Sequence, residues 1–244
     1  LVFVGIYFTR IQTMNSIEKL SDYDDDYNLY RMEVKYDYSL DDVISYGIKD
    51  NQTMIDAILK DALPLLPVKI EAPSFGCTAF TLTDADGDVH MGRNYDFKNN
   101  TSAMLVYCAP KNGYRSVATA ALDNVSANAP DESTKMKLAS LTAPYICLDG
   151  LNEKGVSIAV LTLDSDPVHQ NTGKPAIATT LAIRLVLDRA ASTEEAVELL
   201  RGYDMFASSG RDYHFYITDA TGDGRVVEYD CESETRELVE LPIN

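Results

Sequence analysis

The stretch SFGCTAFTLTDADGDVHMGRNYDF, residues 74–97, decides the fold because it has the pattern of a β hairpin. Two runs of strand-forming residues flank Asp86-Gly87, a pair that favours a two-residue turn. Counting back from that turn pairs Cys77 with Asp96, which places a thiol and a carboxylate opposite each other at the open end of the hairpin. Arg93 lies an odd number of residues from Asp96, so we expect it on the other face unless a bulge or strong twist brings it round.

Cys77 directly follows a glycine, and its thiol needs a base or a nearby positive charge to become a useful nucleophile. One solution is a histidine partner, and the nearest, His90, lies well along the hairpin. The other makes Cys77 the first residue of a mature chain, with its α-amine, of reference pKa about 7.7 to 8.0, as the base. Asp96 would hold that amine, and Arg93 would favour the thiolate or a substrate anion. Gly76 allows a strained peptide, which predicts cleavage between Gly76 and Cys77.

The charge of the chain restricts its partners. Its 244 residues include 38 acidic and 21 basic side chains, and the net charge of −17 opposes binding to nucleic acid or anionic lipid. A small or neutral substrate suits this charge better.

Neither a metal nor a cofactor is predicted. The four cysteines are widely spaced and the three histidines are scattered, which indicates neither a zinc site nor a disulfide framework. The turn DADGD would need glycine at Val89 and glutamate at Tyr95 to be a calcium loop. Cys108, Cys147 and Cys231 are expected to be buried thiols.

Helical and strand patterns alternate along the rest of the chain. Ser39 is a candidate N-cap, and residues 51–63 have apolar side chains at helical spacing. Hairpin patterns follow, then a helical block at residues 178–203, in which Ser192 and Glu195 predict a capping box. A final hairpin is predicted around Thr221–Gly224. Strands, two helices and strands again predict an α+β domain with helices outside packed sheets.

The chain opens with the apolar run LVFVGIYF, residues 1–8, which is too short to span a bilayer as it stands. It is either the remnant of a longer signal or membrane anchor, or an ordinary first strand. The first interpretation predicts an extracellular or surface-anchored protein, and the second a cytoplasmic one.

Five motifs occur together in one order and spacing: GCTAF, DADGDVH, GRNYDF, LDGLNEKGVSIAV and YITDATGDGRVVEYD. From residue 76 onward the chain resembles the choloylglycine hydrolase family of N-terminal nucleophile hydrolases, which includes bile salt hydrolases and penicillin V acylases. The resemblance implies a four-layer αββα sandwich and hydrolysis of linear amide C–N bonds. It further implies that Cys77 is the nucleophile and that Arg93 and Asp96 belong to its catalytic site.

The same resemblance divides the chain and assigns its oxyanion hole. Residues 1–76 would be a leader, as in acid-amidase-like relatives, and residues 77–244 a catalytic domain without the family's C-terminal strands. The strand after NEKG would supply an oxyanion position at Thr162, or at Leu163 or Asp164 if the alignment slips. Asn244 is the candidate for a second oxyanion asparagine.

These observations predict a self-processing cysteine amidase, made as a zymogen, that assembles as a homo-oligomer. Its substrates would be small N-acyl compounds of the bile salt, penicillin V or N-acyl amine type. Two alternatives stay open: a histidine-assisted cysteine hydrolase or acyltransferase that uses unprocessed Cys77, and a non-catalytic surface binding protein on the same fold.

Overall fold

The structure, a computed structural model, describes residues 2–23, 27–64, 76–96, 100–208 and 210–243. Its α-helices are α1 (Val2–Asn15), α2 (Leu40–Ser45), α3 (Asn51–Ala62), α4 (Thr134–Ala139), α5 (Thr179–Arg189) and α6 (Thr193–Arg201). Two 3₁₀ helices lie at Leu122–Val125 and Ser140–Tyr145. The strands are β1 (Glu18–Asp22), β2 (Asn28–Glu33), β3 (Gly76–Thr83), β4 (Val89–Asp96), β5 (Ala103–Cys108), β6 (Ser116–Ala121), β7 (Cys147–Asn152), β8 (Ser157–Leu163), β9 (Ala176–Ala178), β10 (Asp204–Phe206), β11 (Asp212–Thr218), β12 (Gly224–Tyr229) and β13 (Leu238–Pro242).

Nine strands form a central sheet in the order β1-β2-β5-β6-β7-β8-β11-β12-β13. Within it, β2 and β5 run parallel, whereas β5 to β8 and β11 to β13 are joined by antiparallel pairs. The β3–β4 hairpin is a separate two-stranded sheet, and β9 and β10 form another. The hairpin therefore forms its own layer, outside the central sheet.

The residues of β8 show how the layers stack. Ile158 and Val160 belong to the main apolar core, into which α5 packs against β7 and β8. Ala159 and Leu161 belong instead to a small second cluster that includes Ala79 of the hairpin. Because side chains alternate between the faces of a strand, helices cover one face of β8 and the hairpin covers the other.

Three layers follow one another in the part of the chain that the structure describes: helices, the central sheet and the β3–β4 hairpin. Their order is that of the expected αββα sandwich. The predicted α+β class is confirmed.

The local capping signals are largely confirmed. The Ser39 hydroxyl accepts a hydrogen bond from Asp42 N at 3.2 Å and starts α2. The Ser192 hydroxyl accepts one from Glu195 N at 3.1 Å and starts α6. The Glu195 carboxylate accepts from Ala191 N at 2.7 Å, one residue earlier than in a standard capping box.

The N-terminal segment is helical, so the prediction of an ordinary first strand is wrong. Residues 2–8 of the apolar run lie within α1, which extends to Asn15 and packs against the 3₁₀ helix Ser140–Tyr145. Arg10 holds α1 to α3 by donating from Nε to Ala62 O at 2.7 Å. Among the described helices, none has both the length and the apolarity needed to cross a membrane.

The predicted leader shares its core with the rest of the protein. Strand β2 lies inside the central sheet, between β1 and β5, and Tyr30 and Met32 on it are fully buried. The chain on either side of residue 76 thus contributes to one sheet and one core, while the boundary itself stays a prediction.

Candidate functional site

The register of the β3–β4 hairpin differs by one residue from the prediction. Gly76 pairs with Asp96, and Cys77 pairs with Tyr95 rather than with Asp96. The reason is the turn: Asp84 N donates to Asp88 O at 3.0 Å, which closes a three-residue loop in which Gly87 has a φ of 89°. A three-residue loop with glycine in the left-handed region replaces the two-residue turn expected from Asp86-Gly87.

The corrected register brings Arg93 to the face of the hairpin that carries residue 77. Arg93 pairs with Ala79, and Cys77 lies two residues before Ala79 on the same strand. Residues two apart on a strand share a face, so neither a bulge nor unusual twist is needed. Asp96 stands opposite Gly76, beside the peptide bond predicted to be cleaved, and is exposed.

The hairpin lies on the central sheet in a defined direction. Tyr216 donates from its hydroxyl to Thr81 Oγ1 at 2.8 Å, and Tyr216 pairs with Ala159 across β11 and β8. Arg93, opposite Ala79, donates from Nη2 to Val160 O at 3.1 Å. The residue 77 end of the hairpin is therefore directed toward the C-terminal end of β8.

Arg93 is almost fully buried between the hairpin and the sheet. Its Nη1 lies 3.2 Å from Asp149 Oδ2, and its Cζ lies 4.8 Å from the centre of the Tyr95 ring. Together with the bond to Val160 O, these contacts orient the guanidinium from β7, β8 and β4.

Asp149 was not identified from the sequence as a site residue. It lies on β7 opposite Ala159, so it faces the hairpin. Burial raises the pKa of its carboxyl, whereas Arg93 and hydrogen bonds from Thr119 lower it. A carboxylate in the largely apolar stretch YICLDGL was the available signal, because a buried carboxylate requires a partner.

Thr162 lies near the end of β8, on the helix side of the sheet. It pairs with Tyr213, a residue of the main core. The carbonyls of Val156 and Val160 accept hydrogen bonds from Asn152 N and Arg93 Nη2, so these groups point to the β7 edge of β8. Backbone groups two residues apart point the same way, which directs Thr162 N–H toward that edge. Any oxyanion contact from Thr162 would therefore come from its backbone. Asn244 lies outside the described residues.

The histidines differ in their relation to the hairpin. His90 pairs with Leu82, five residues from Cys77 and thus roughly 16 Å away along the strand, and its Nε2 lies 2.9 Å from Asp84 Oδ2. His214 pairs with Leu161 on the face of the sheet toward the hairpin, with its Nδ1 2.9 Å from Glu228 Oε1. Of these two, His214 has the better position for a histidine-assisted reaction.

Two of the three other cysteines are buried as expected. Burial raises the pKa of both the Cys108 and the Cys147 thiols. The prediction for Cys231 is wrong, because it is exposed in the turn between β12 and β13.

A cleft of about 870 Å³ opens beside Arg93, between β4 and the face of β5, β6 and β7 opposite the helices. Leu105, Val117 and Leu151 supply part of its apolar lining, and Arg93 and Asp149 lie on its wall. The arrangement places the Arg93–Asp149 ion pair in the wall of a mainly apolar chamber.

The chain is similar to known proteins of one family. The family model described as linear amide C–N hydrolases, choloylglycine hydrolase family, matches residues 77–235. No curated protein matches this chain.

Solved structures with some likeness include two variants of a conjugated bile acid hydrolase from Clostridium perfringens, with 22% identity and TM-scores of 0.46 and 0.47. They cover 69% and 68% of this chain and 51% of their own chains. Another is penicillin V acylase from Agrobacterium tumefaciens, with 18% identity and a TM-score of 0.42, over 67% of this chain and 49% of that one. The chain spans about half the length of these structures. With the family model matching well over half of its residues, the chain belongs to the choloylglycine hydrolase family.

Proposed function

We propose that this protein is a cysteine amidase that hydrolyses linear amide C–N bonds of small N-acyl compounds, after cleavage between Gly76 and Cys77. The observation that carries the proposal is that the family match begins at Cys77, the residue predicted to become the mature N-terminus. The placement of Arg93 on the face of residue 77 supports it independently.

In the proposed reaction, the α-amine of Cys77 accepts the thiol proton, and the sulfur attacks the substrate carbonyl carbon. Backbone N–H groups, with that of Thr162 as the candidate, stabilise the negative charge on the tetrahedral oxygen. The amine leaves with the proton from the α-ammonium, which produces a thioester. Water then attacks the thioester, and the α-amine takes its proton and returns it to the thiol. Asp96 holds the amine in place.

The proposed substrate class follows from the cleft and from the charge. Apolar lining suits an acyl chain, and Arg93 suits a single anionic group near the scissile bond. With a net charge of −17, the protein repels polyanions. Conjugated bile salts, penicillin V and fatty N-acyl amides are candidate substrates, the first two because the solved structures with some likeness include a conjugated bile acid hydrolase and a penicillin V acylase. The extracellular location and the homo-oligomer stay predictions.

Self-cleavage is tested with Cys77→Ala. Intact mass and N-terminal sequencing should show a new terminus at residue 77 in the parent and one uncut chain in the variant, under protease-free conditions. Cys231→Ala is the matched control and should be processed like the parent. Equal processing of Cys77→Ala and the parent would contradict self-cleavage.

The substrate class is tested on the processed protein with a panel of conjugated bile salts, penicillin V and fatty N-acyl amides. Hydrolysis of at least one member, lost in Cys77→Ala, is expected. His214→Gln should retain this activity, because the α-amine acts as base. If the panel is inert while a casein digest is cleaved in a manner that needs Cys77 and His214, the histidine-assisted alternative is correct.

A further inference from the structure

The guanidinium of Arg93 is paired with a carboxylate that comes from another layer of the protein. Arg93 Nη1 and Asp149 Oδ2 are 3.2 Å apart, and their side chains are only 7% and 16% exposed. Asp149 itself is bound by Thr119 of β6, so the pair continues into the central sheet. Screening by water is therefore weak at this pair, and its charges act strongly on near neighbours.

Residue 77 is one of those neighbours. It is the diagonal cross-strand neighbour of Arg93, a relation that separates Cα atoms by about 7–8 Å and lies within reach of a long side chain. The charge that this pair presents on the face of residue 77 is that of Arg93 less the opposing effect of Asp149. An arginine without its carboxylate would stabilise a thiolate more strongly.

We propose that Asp149 is a positioning residue that holds the Arg93 guanidinium on the face of residue 77 and reduces the positive charge acting on the Cys77 thiol. The proposal rests on the proposed function for the role of Cys77, yet it can be tested on the thiol alone. The charged and titratable groups around this end of the hairpin are Arg93, Tyr95, Asp96, Asp149, Asp164, Arg211, Asp212 with its partner Arg236, His214, Tyr216 and Glu228, and after cleavage also the α-amine of Cys77.

The test compares two substitutions of Asp149. Asp149→Asn keeps the shape and an oxygen acceptor but removes the charge, whereas Asp149→Glu keeps the charge and displaces it by one methylene. Asp188→Asn is the matched control, because Asp188 forms a buried ion pair with Arg184, 2.9 Å from Oδ1 to Nε, on α5 in the helix layer.

The measurement is the rate of Cys77 alkylation by iodoacetamide against pH, followed by peptide mass spectrometry, with exposed Cys231 as internal reference. For Asp149→Asn we expect the midpoint for Cys77 to move to lower pH by about one unit, since a thiolate gains when an opposing negative charge is removed. Asp149→Glu should keep the midpoint of the parent. In both variants kcat should fall by roughly tenfold while KM changes less than about threefold, because the guanidinium changes its orientation but is kept on the face of residue 77 by Val160 O and the Tyr95 ring.

A midpoint that stays in place in Asp149→Asn overturns the proposal, whatever happens to kcat. So does an equal shift in Asp188→Asn, which would indicate a general structural effect. If Asp149→Asn does not fold, Thr119→Val should show a smaller shift in the same direction, because loss of a donor to Asp149 favours its neutral form. If no amide in the panel is hydrolysed, the proposed function fails, while the alkylation midpoint still decides the role of Asp149.

Discussion

At the scale of single residues, the one-residue change in register reassigns the roles around Cys77. Asp96 does not stand opposite Cys77 but opposite Gly76, so it lies beside the peptide bond whose cleavage would create the α-amine. The position supports a role in anchoring that amine, and the exposure of Asp96 means that the fold does not depend on it.

The anchoring role predicts that Asp96→Asn lowers kcat by more than about tenfold, since a positioned acid–base group contributes about 10² to 10⁴. The thermal midpoint should be unchanged. Steady-state kinetics on processed protein and a thermal melt measure both. Asp86→Asn, an exposed aspartate in the turn at the far end of the same hairpin, is the control and should leave both values as in the parent. Turnover of Asp96→Asn equal to that of the parent would remove Asp96 from the site.

At the scale of elements, the predicted leader is bound to the rest of the protein through a strand and through buried polar contacts. Strand β2 pairs with β5, and Tyr38 donates from its hydroxyl to Asp188 Oδ1 at 2.7 Å. Tyr145 donates to Asp61 Oδ2 of α3 at 2.5 Å. Removing the predicted leader would expose the edge of β5, take the Tyr38 donor from Asp188 and take the Asp61 acceptor from Tyr145, so cleavage of the chain should not release it.

The two pieces of a cleaved chain should therefore elute together in size-exclusion chromatography and separate only in denaturant. Tyr38→Phe removes one buried hydrogen bond and should lower the free energy that holds the two pieces together by about 0.5–1.5 kcal/mol. The pieces should therefore separate at a lower urea concentration. Tyr46→Phe, at an exposed tyrosine, should not change that concentration. Free leader in native buffer after cleavage would contradict this prediction.

At the scale of the whole molecule, stability should rise as the solution becomes mildly acidic. Burial raises the pKa of Asp61, Asp149 and Asp188. The folded protein then binds more protons than the unfolded chain between the ordinary carboxyl pKa, about 3.9, and neutrality, so the free energy of unfolding increases as pH falls through that window. The exposed carboxylates of Asp50 and Asp84 have lowered pKa values, so their contribution to the stability of the fold is lost only at more acidic pH. The net charge of −17 also makes the folded protein more stable at lower pH, because protonation reduces the repulsion between acidic side chains.

We expect a thermal midpoint at pH 5.5 that is higher than at pH 7.5 by roughly 2–4 °C for each kcal/mol gained. At pH 7.5, added salt should also raise it, because salt screens the repulsion between acidic side chains. Asp61→Asn should reduce the pH dependence. A midpoint that falls steadily from pH 7.5 to pH 5.5 would show that the buried carboxyls are not the dominant groups.

Local sequence patterns predicted the secondary-structure elements and the residue types of the candidate site. Caps at Ser39 and Ser192 and the hairpin patterns depend on neighbours in the chain, and they predicted α2, α6 and most strands within a few residues. The motifs around Cys77 and Arg93 identified the family for the same reason, since each is a short contiguous segment.

Which of these residues come into contact depends on how the layers of the fold pack. The three-residue loop at Gly87 moved every pair of the hairpin by one position, and thereby placed Arg93 on the face of residue 77. Asp149 reaches Arg93 from β7, more than fifty residues along the chain, which no spacing rule within a segment can reveal. Local hydrogen bonds determine elements, whereas the packing of one layer on another determines the site, and that packing depends on register and on burial across the whole core.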